Sequence, residues 1–147
     1  MQKKNDQNFV NLVNNAQSDR EYPFLDGHVI VIWLDHSGVL ARINQSLLDM
    51  TGYQDSDYIG KSYTLFKHPD ISESVYDNVW RKVGSGDRWK GVVKVLRKDG
   101  NYFWGLTTIM PIQYQPLQTR YLCTVRKPSR KQIEQHRDKY YSVNKGD

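Results

Sequence analysis

The sequence predicts an α+β domain in which a five-stranded antiparallel sheet carries short helices on one face and a flanking helix at each end. Three observations lead to this class. β-Branched and aromatic runs over 29–43 and 89–125 are interrupted by short turn sequences. Apolar residues at helical spacing lie between and outside these runs. Because the strands are grouped and do not alternate one by one with helices, the sheet is expected to be antiparallel.

The strands are predicted as one hairpin followed by a three-strand meander. A polar turn ending at Gly38 separates the first two apolar runs, and Lys98-Asp99-Gly100-Asn101 is a tight-turn sequence between the next two. We expect a looser loop over 113–118 before the last strand. These features place the five strands at 29–34, 39–43, 89–96, 102–111 and 120–125.

Two helices are predicted inside the domain. The first starts in the Asn-Gln-Ser sequence at 44–46 and ends at Gly52, a residue suited to the positive φ of a helix C-terminus. The second covers 71–83, where valines recur at every fourth position. Asp70 and Ser72 compete to be the N-cap of that helix.

The N-terminal flanking helix is predicted over 5–18. Phe9, Leu12, Val13 and Ala16 fall in one stripe at helical spacing. A helix this short is marginal alone. We therefore expect the stripe to dock on the domain's own sheet or on a second copy of the chain. A homodimer is expected, formed through this helix or through a face of the sheet.

A C-terminal helix is predicted after Pro128. Ser129 and Gln132 have the spacing of a capping box, in which each side chain bonds a free backbone N–H at the helix start. Ile133 and Tyr140, seven residues apart, could face one partner. The chain is thus divided into an N-terminal flanking helix at 1–22, a central domain at 23–127 and a C-terminal linker helix at 128–147.

Composition limits the classes of function. The net charge of +5 is scattered along the chain without a basic stripe, so we expect no nucleic-acid binding. There is no apolar run of about 18 residues that could cross a membrane. A single cysteine, Cys123, fits a reducing compartment, so we expect a cytoplasmic protein. The four histidines lie in different predicted elements, and no nucleophile–base pair or metal-ligand spacing is present, so we expect no enzyme activity and no metal site.

Several short segments, in order, resemble the PAS family. Residues 44–53 (N-Q-S-L-L-D-M-T-G-Y) resemble its N-x-x-F-x-x-x-[ST]-G-Y segment, with leucine in place of phenylalanine. Residues 67–70 (K-H-P-D) resemble the R-H-P-D-M-P signature of aerotaxis-receptor PAS domains, with Lys67 in place of arginine. Residues 97–100 (R-K-D-G) and 124–130 (T-V-R-K-P-S-R) continue the likeness. The resemblance implies a PAS fold and a signal-input domain that binds FAD, senses redox or oxygen state, and reports to a chemotaxis or other output domain of a longer protein.

The resemblance also implies where FAD would bind. Trp80 and Trp89 are either walls of the flavin pocket or ordinary core aromatics. Lys67 is either a partner of the cofactor or a solvated lysine, although lysine lacks the planar two-bond grip of arginine. His68 could bond the ring or be structural. Asp70 and Asn44 could also contact the cofactor. Alternatively, Asp70 could cap the helix at 71–83, and Asn44 could bond its own loop.

Other PAS functions stay open at this point. A cofactor-free interaction and dimerisation module would explain the amphipathic helix equally well. Haem binding would require His68 as the axial ligand, because 72–83 contains no histidine. A small-metabolite sensor is a further possibility. Cysteinyl-adduct light sensing is disfavoured because 61–67 has no thiol.

Overall fold

The computed structural model describes the backbone of residues 19–115 and 118–145, and the side chains of 19–113 and 118–137. The predicted helix over 5–18 and the side chain of Tyr140 lie outside this part. The elements are β1 Ile30–Leu34, β2 Leu40–Ile43, α1 Gln45–Thr51, α2 Asp55–Tyr58, a 3₁₀ turn Tyr63–Phe66, α3 Glu73–Gly84, β3 Trp89–Leu96, β4 Tyr102–Gln115, β5 Gln118–Arg126 and α4 Arg130–Lys145. Across these residues, no helix is both long and apolar enough to traverse a bilayer.

The five strands form one sheet in the order β2-β1-β5-β4-β3, and all neighbours are antiparallel. The predicted hairpin and meander are therefore confirmed. The chain joins them by pairing β1 with β5, so that Ile32 lies opposite Cys123. This pairing places the first hairpin and the meander on one continuous surface, with the helices between them in sequence available to cover it.

Asn44 connects the first hairpin to helix α1. Its side-chain oxygen accepts hydrogen bonds from the backbone N–H of Val31 (3.1 Å) and of Leu47 (3.3 Å). Its amide nitrogen donates to the carbonyl of Val29 at 2.8 Å. At the other end of the helix, Gly52 has φ +80° and donates its N–H to an open helix carbonyl, as its position in the sequence predicts.

Helix α3 begins one residue after Ser72. The Ser72 hydroxyl accepts from the N–H of Ser74, so Ser72 and not Asp70 is the N-cap. Val79 and Val83, four residues apart, are buried against Trp89 of β3. The helix is thus attached to the sheet by the valine stripe that predicted it.

The sheet has two faces with separate packing. The inner face lies under the helices and contains the main core, in which Phe103 and Ile30 are almost completely buried. The outer face carries a smaller cluster of Val92, Trp104 and Ile133 of helix α4. Because alternate residues of a strand point to opposite faces, Val92 and Trp104 belong to the face opposite the main core.

Helix α4 starts with the predicted capping box. The Gln132 side chain accepts from the N–H of Ser129 at 2.9 Å, and the Ser129 hydroxyl accepts from the N–H of Gln132 at 3.1 Å. Arg130 forms an ion pair with Glu21 at 2.8 Å. The C-terminal helix is therefore held both to the outer face, through Ile133, and to the segment that leads into β1.

The predicted loose loop over 113–118 is wrong. Strand β4 continues to Gln115 and β5 starts at Gln118, so the two strands form a long hairpin. Pro111 lies inside β4, opposite Tyr121. The pairing of β3 with β4 ends at Ile109, so beyond that residue one side of β4 has no strand beside it among the described residues. A residue without an N–H is tolerated there.

Candidate functional site

A cavity lies between the inner face of the sheet and helix α3. Its volume is about 100 Å³, which is room for several water molecules. Residues of four strands, β1, β3, β4 and β5, and of the helical segments form its walls. The walls are almost wholly apolar, with Ile30, Ile32, Val79, Ile109 and Val125 among the residues that form them. The domain therefore encloses a space that its own side chains do not fill.

Both candidate tryptophans line this cavity. Trp80 projects from α3, and its indole N–H donates to the Tyr63 hydroxyl at 2.8 Å. Its ring is also 5.1 Å from the ring of Tyr121, in an edge contact. Trp89 is 7% exposed and packs against the valines of α3. Each indole packs against the core and also lines the cavity.

The indole of Trp89 depends on Gly91. A Cβ placed on Gly91 would come within 2.6 Å of Cη2 of Trp89. The two residues are on the same face of β3, and the ring lies across the strand where any larger residue would project. This close approach is the reason that glycine occupies the middle of a buried strand.

Lys67 also lines the cavity, and its backbone extends the sheet by an antiparallel bridge to Val95. Its side chain is 20% exposed, and Nζ lies 2.7 Å from Oε1 of Glu73, whose side chain is 76% exposed. Nζ is also 4.4 Å from the centre of the Tyr76 ring. Lys67 thus brings a positive charge to the cavity, balanced by a carboxylate that is largely in water.

His68 and Asp70 do not line the cavity. The ring of His68 is 4% exposed and packs edge-on against Tyr102, a residue of the outer face. Asp70 lies 2.7 Å from the ammonium of Lys94, which stands 4.2 Å from the centre of the Tyr102 ring. The chain passes the edge of the sheet at Lys67, so the next three residues lie beside the opposite face.

The hydrogen bonds of His68 indicate its tautomer. Nδ1 accepts the backbone N–H of Asp70 at 3.0 Å, so this nitrogen carries no proton. The proton is on Nε2, which is 2.7 Å from Oδ1 of Asp19. Asp19, His68 and Asp70 have the proximity of a metal site. However, both ring nitrogens are engaged, and the Lys94 ammonium already neutralises Asp70, so these groups form a hydrogen-bond network in place of a ligand set.

The family model of the PAS fold matches residues 40–125. The chain belongs to the PAS family. It is a PAS sensory domain, similar in sequence to an aerotaxis receptor and in fold to a blue-light photoreceptor.

Individual relatives of this PAS domain are distant. It is 21% identical over 124 residues to the aerotaxis receptor of Escherichia coli (strain K12), which covers 84% of this chain and 24% of the receptor. The chain therefore spans about a quarter of that relative's length. The light-state structure of the blue-light photoreceptor Aureochrome1 LOV has a TM-score of 0.66 at 17% identity, covering 75% of this chain and 89% of that one. A structure from a flavin-analogue study of the light-oxygen-voltage domain mechanism has a TM-score of 0.65 at 20% identity, covering 78% and 87%.

Asn44 has a local role in this PAS domain. It does not line the cavity, and its side chain bonds backbone groups of Val29, Val31 and Leu47. Of the six candidate residues, the structure places Lys67, Trp80 and Trp89 at the cavity and places Asn44, His68 and Asp70 away from it.

Several cavity residues were not identified from the sequence, among them Tyr63, Thr107, Ile109 and Cys123. The alternation of β4 could have identified two of them, because Thr107 and Ile109 are in phase with the buried Phe103. Burial raises the pKa of the Cys123 thiol to about 12. The thiol is neutral at physiological pH, and it contributes to the wall as a small apolar group and not as a nucleophile.

Proposed function

We propose that this PAS domain is a cytoplasmic signal-input module that holds a flavin nucleotide, FAD, in its cavity and reports redox or oxygen state to an attached output domain, such as one for chemotaxis. The observation that carries the proposal is the apolar cavity itself, walled on one side by the sheet, which contributes Trp89, and on the other by helix α3, which contributes Trp80. Similarity to the aerotaxis receptor and to light-oxygen-voltage domains supports it. We propose no catalytic reaction for this domain.

The residues at the cavity suit a flat, mostly apolar ring. Ligand sites of this kind are lined by hydrophobic and aromatic groups, with a few polar groups that fix orientation. When bound, a flavin would supply reversible electron uptake, usually with a proton. The chain's own part is to exclude water from the ring with its apolar wall and to offer a positive charge through Lys67.

The Lys67–Glu73 ion pair would yield to a phosphate. Glu73 is 76% exposed, and exposed ion pairs contribute only about 0–1 kcal/mol. A phosphate group carries more charge than a carboxylate and would displace it at small cost. Lys67 acts as a single point charge here, without the fork geometry of arginine, so we expect it to attract the phosphates without fixing their orientation.

A signal would leave through the sheet. The state of a ligand can shift a conformational equilibrium only if the two conformations bind it differently. Strands β3 and β4 carry cavity residues such as Trp89 on the inner face and Val92 and Trp104 on the outer face, where Ile133 of α4 packs. We propose that a change in cavity packing reaches the C-terminal helix across these two strands.

The proposal is tested by the visible spectrum of the purified protein and by identification of the extracted cofactor. We expect flavin absorbance bands and release of FAD on denaturation. Ile109→Phe places a ring in the cavity and should abolish flavin uptake. Met110→Phe, one residue further along β4 and on the other face, should leave uptake unchanged. Circular dichroism must show that both variants are folded. A colourless protein that takes up neither riboflavin, FMN nor FAD would refute the flavin assignment.

A second function is favoured by one specific observation. Among the described sheet residues that line the cavity, Thr107 carries the one side-chain hydroxyl, and no buried side-chain nitrogen or oxygen in the described residues lacks a partner. An apolar small molecule could fill such a cavity without leaving any buried polar side chain unpaired. Mass spectrometry of an organic extract distinguishes this ligand from a flavin, and an empty extract combined with self-association would favour a cofactor-free interaction module. Haem is disfavoured, because no histidine among the described residues lines the cavity.

A further inference from the structure

The wall of the cavity formed by the sheet is nearly uniform in chemistry. β1 contributes Ile30, Ile32 and Leu34, and β5 contributes Val125 and the neutral thiol of Cys123. On β3 and β4 the inner positions are also apolar, apart from one hydroxyl, that of Thr107. Thr107 is 6% exposed, so this hydroxyl is removed from bulk water.

The Thr107 hydroxyl is available to a ligand. It donates a hydrogen bond to the carbonyl of Gly105 in its own strand, at 3.2 Å. This bond is long, because a good hydroxyl hydrogen bond measures about 2.7–2.8 Å. A threonine hydroxyl offers one donor and two acceptor sites and rotates about its bond to carbon. It can therefore keep its acceptor sites open or turn its proton toward the cavity at small cost.

The surroundings of this hydroxyl suit the edge of a ring. Thr107 pairs across the strands with Gly91, and the indole of Trp89 lies over Gly91. Directly opposed residues of neighbouring antiparallel strands lie about 4.5–5.5 Å apart at Cα. The hydroxyl and the indole are thus side by side on the same face, a polar group next to a flat apolar one.

The charged groups of the wall, unlike the neutral Thr107 hydroxyl, already have ionic partners. The ammonium of Lys94 is 2.7 Å from Asp70 and lies over the outer-face ring of Tyr102. Lys67 is partly exposed, and in the proposed binding mode it attracts the phosphates and not the ring. A flavin has a polar edge with carbonyl and N–H groups, and burying such groups without partners costs about 1–3 kcal/mol each in proteins. The edge must therefore lie where a partner exists.

We propose that Thr107 is the residue of the sheet that hydrogen-bonds the polar edge of the bound ring, so that this edge lies against β4 beside Trp89. This inference rests on the proposed binding of a flavin. It assigns to Thr107 a direct contact with the ligand, and it makes Thr107 the residue that sets the orientation of the ring on the sheet wall.

Three variants of the full 147-residue chain test the assignment, each titrated with FAD. Thr107→Val keeps the shape and removes the hydroxyl, Thr107→Ser keeps the hydroxyl, and Thr108→Val makes the same change on the opposite face of β4. For Thr107→Val we expect about a three- to tenfold weaker affinity, the usual loss for one hydrogen bond, together with a shifted visible band and reduction midpoint of the bound flavin. Thr107→Ser and Thr108→Val should bind within about twofold of the parent and keep its spectrum.

The outcomes separate this inference from the proposed function. If FAD binds the parent and Thr107→Val is identical to it in affinity, spectrum and midpoint, Thr107 makes no such contact. If Thr107→Ser behaves like Thr107→Val, the methyl group matters and the hydroxyl does not. If the parent binds no flavin of any kind, the proposed function itself fails.

Discussion

Substitution of Gly91 by alanine tests how tightly the cavity wall is built. The added Cβ would lie 2.6 Å from Cη2 and 2.7 Å from Cζ2 of Trp89. The indole cannot easily move away, because it is buried against Val79 and Val83. The backbone of Gly91 is not in the left-handed region, so alanine is excluded by the ring and not by its own φ.

The magnitude follows from two opposing terms. Overpacking a filled core site costs about 1–3 kcal/mol. Replacing glycine by alanine where the backbone permits it stabilises by about 0.4–1 kcal/mol, through the unfolded chain. We therefore expect Gly91→Ala to lower the free energy of unfolding by about 0.5–2 kcal/mol. In a Trp89→Leu background the obstruction is gone, and the same substitution should stabilise by about 0.4–1 kcal/mol.

Urea unfolding of the four proteins in this double-mutant cycle measures the coupling between Gly91 and Trp89. The midpoint of Gly91→Ala should fall in the parent and rise in the Trp89→Leu protein. Gly84→Ala is a matched control, since no atom lies within 4 Å of a Cβ at that helical position. Equal effects of Gly91→Ala in both backgrounds would mean that the indole does not occupy this space, and the described wall would be wrong.

Three further predictions concern single groups. Asn44→Ala removes a helix cap and the bonds to β1, so it should lower stability by about 1–2 kcal/mol without altering the spectrum of a bound ligand, whereas Asn44→Asp keeps the cap and should lose less. Burial raises the pKa of Cys123 from 9.0 to about 12. The unfolded thiol therefore ionises first, and stability should fall as pH rises from about 9 to 12, by up to about 1.4 kcal/mol per pH unit, a slope that Cys123→Ala should reduce. Lys94→Met leaves Asp70 without its cation and should destabilise by about 1–3 kcal/mol, and addition of Asp70→Asn should recover part of the loss in the same denaturant assay.

Local chemistry was sufficient to predict most elements of the fold. Gly52 ends helix α1 and the Ser129 capping box begins α4, because both depend on backbone groups within a few residues. Strand β3 has its predicted limits, since glycine and aspartate end the helix before it and the Asp-Gly turn follows it. These signals need no knowledge of distant parts of the chain.

The end of β4 could not be predicted in this way. Pro111 is disfavoured within strands, and the short alternation of Ile112 and Tyr114 with glutamines after it is too brief to indicate a strand by itself. The pairing with β5 supplies the hydrogen bonds, and the absence of β3 beyond Ile109 makes Pro111 acceptable. Both features depend on contacts between strands that are distant in sequence, so the local pattern indicated a loop.

The cavity was predicted in part for a similar reason. Trp80 and Trp89 are large aromatics whose positions on a helix and a strand point inward, so they were found. Thr107 is a common residue in a strand, and only the apolar character of the other inner positions makes its hydroxyl unusual. That contrast is visible only when the four strands are aligned in the folded sheet, and the sequence alone does not specify this alignment.

The position of His68 changes what a mutation there can demonstrate. Its ring bonds Asp19 and the N–H of Asp70, on the face opposite the cavity. Lys67, the preceding residue, bridges to β3 and carries the charge at the cavity. Loss of this histidine would disturb the turn that holds Lys67 at the sheet edge, so a His68 variant could lose a ligand that the histidine never touched. A contact between His68 and a bound ring therefore cannot be inferred from lost binding, and would require a His68 variant that retains the ligand but shifts its spectrum.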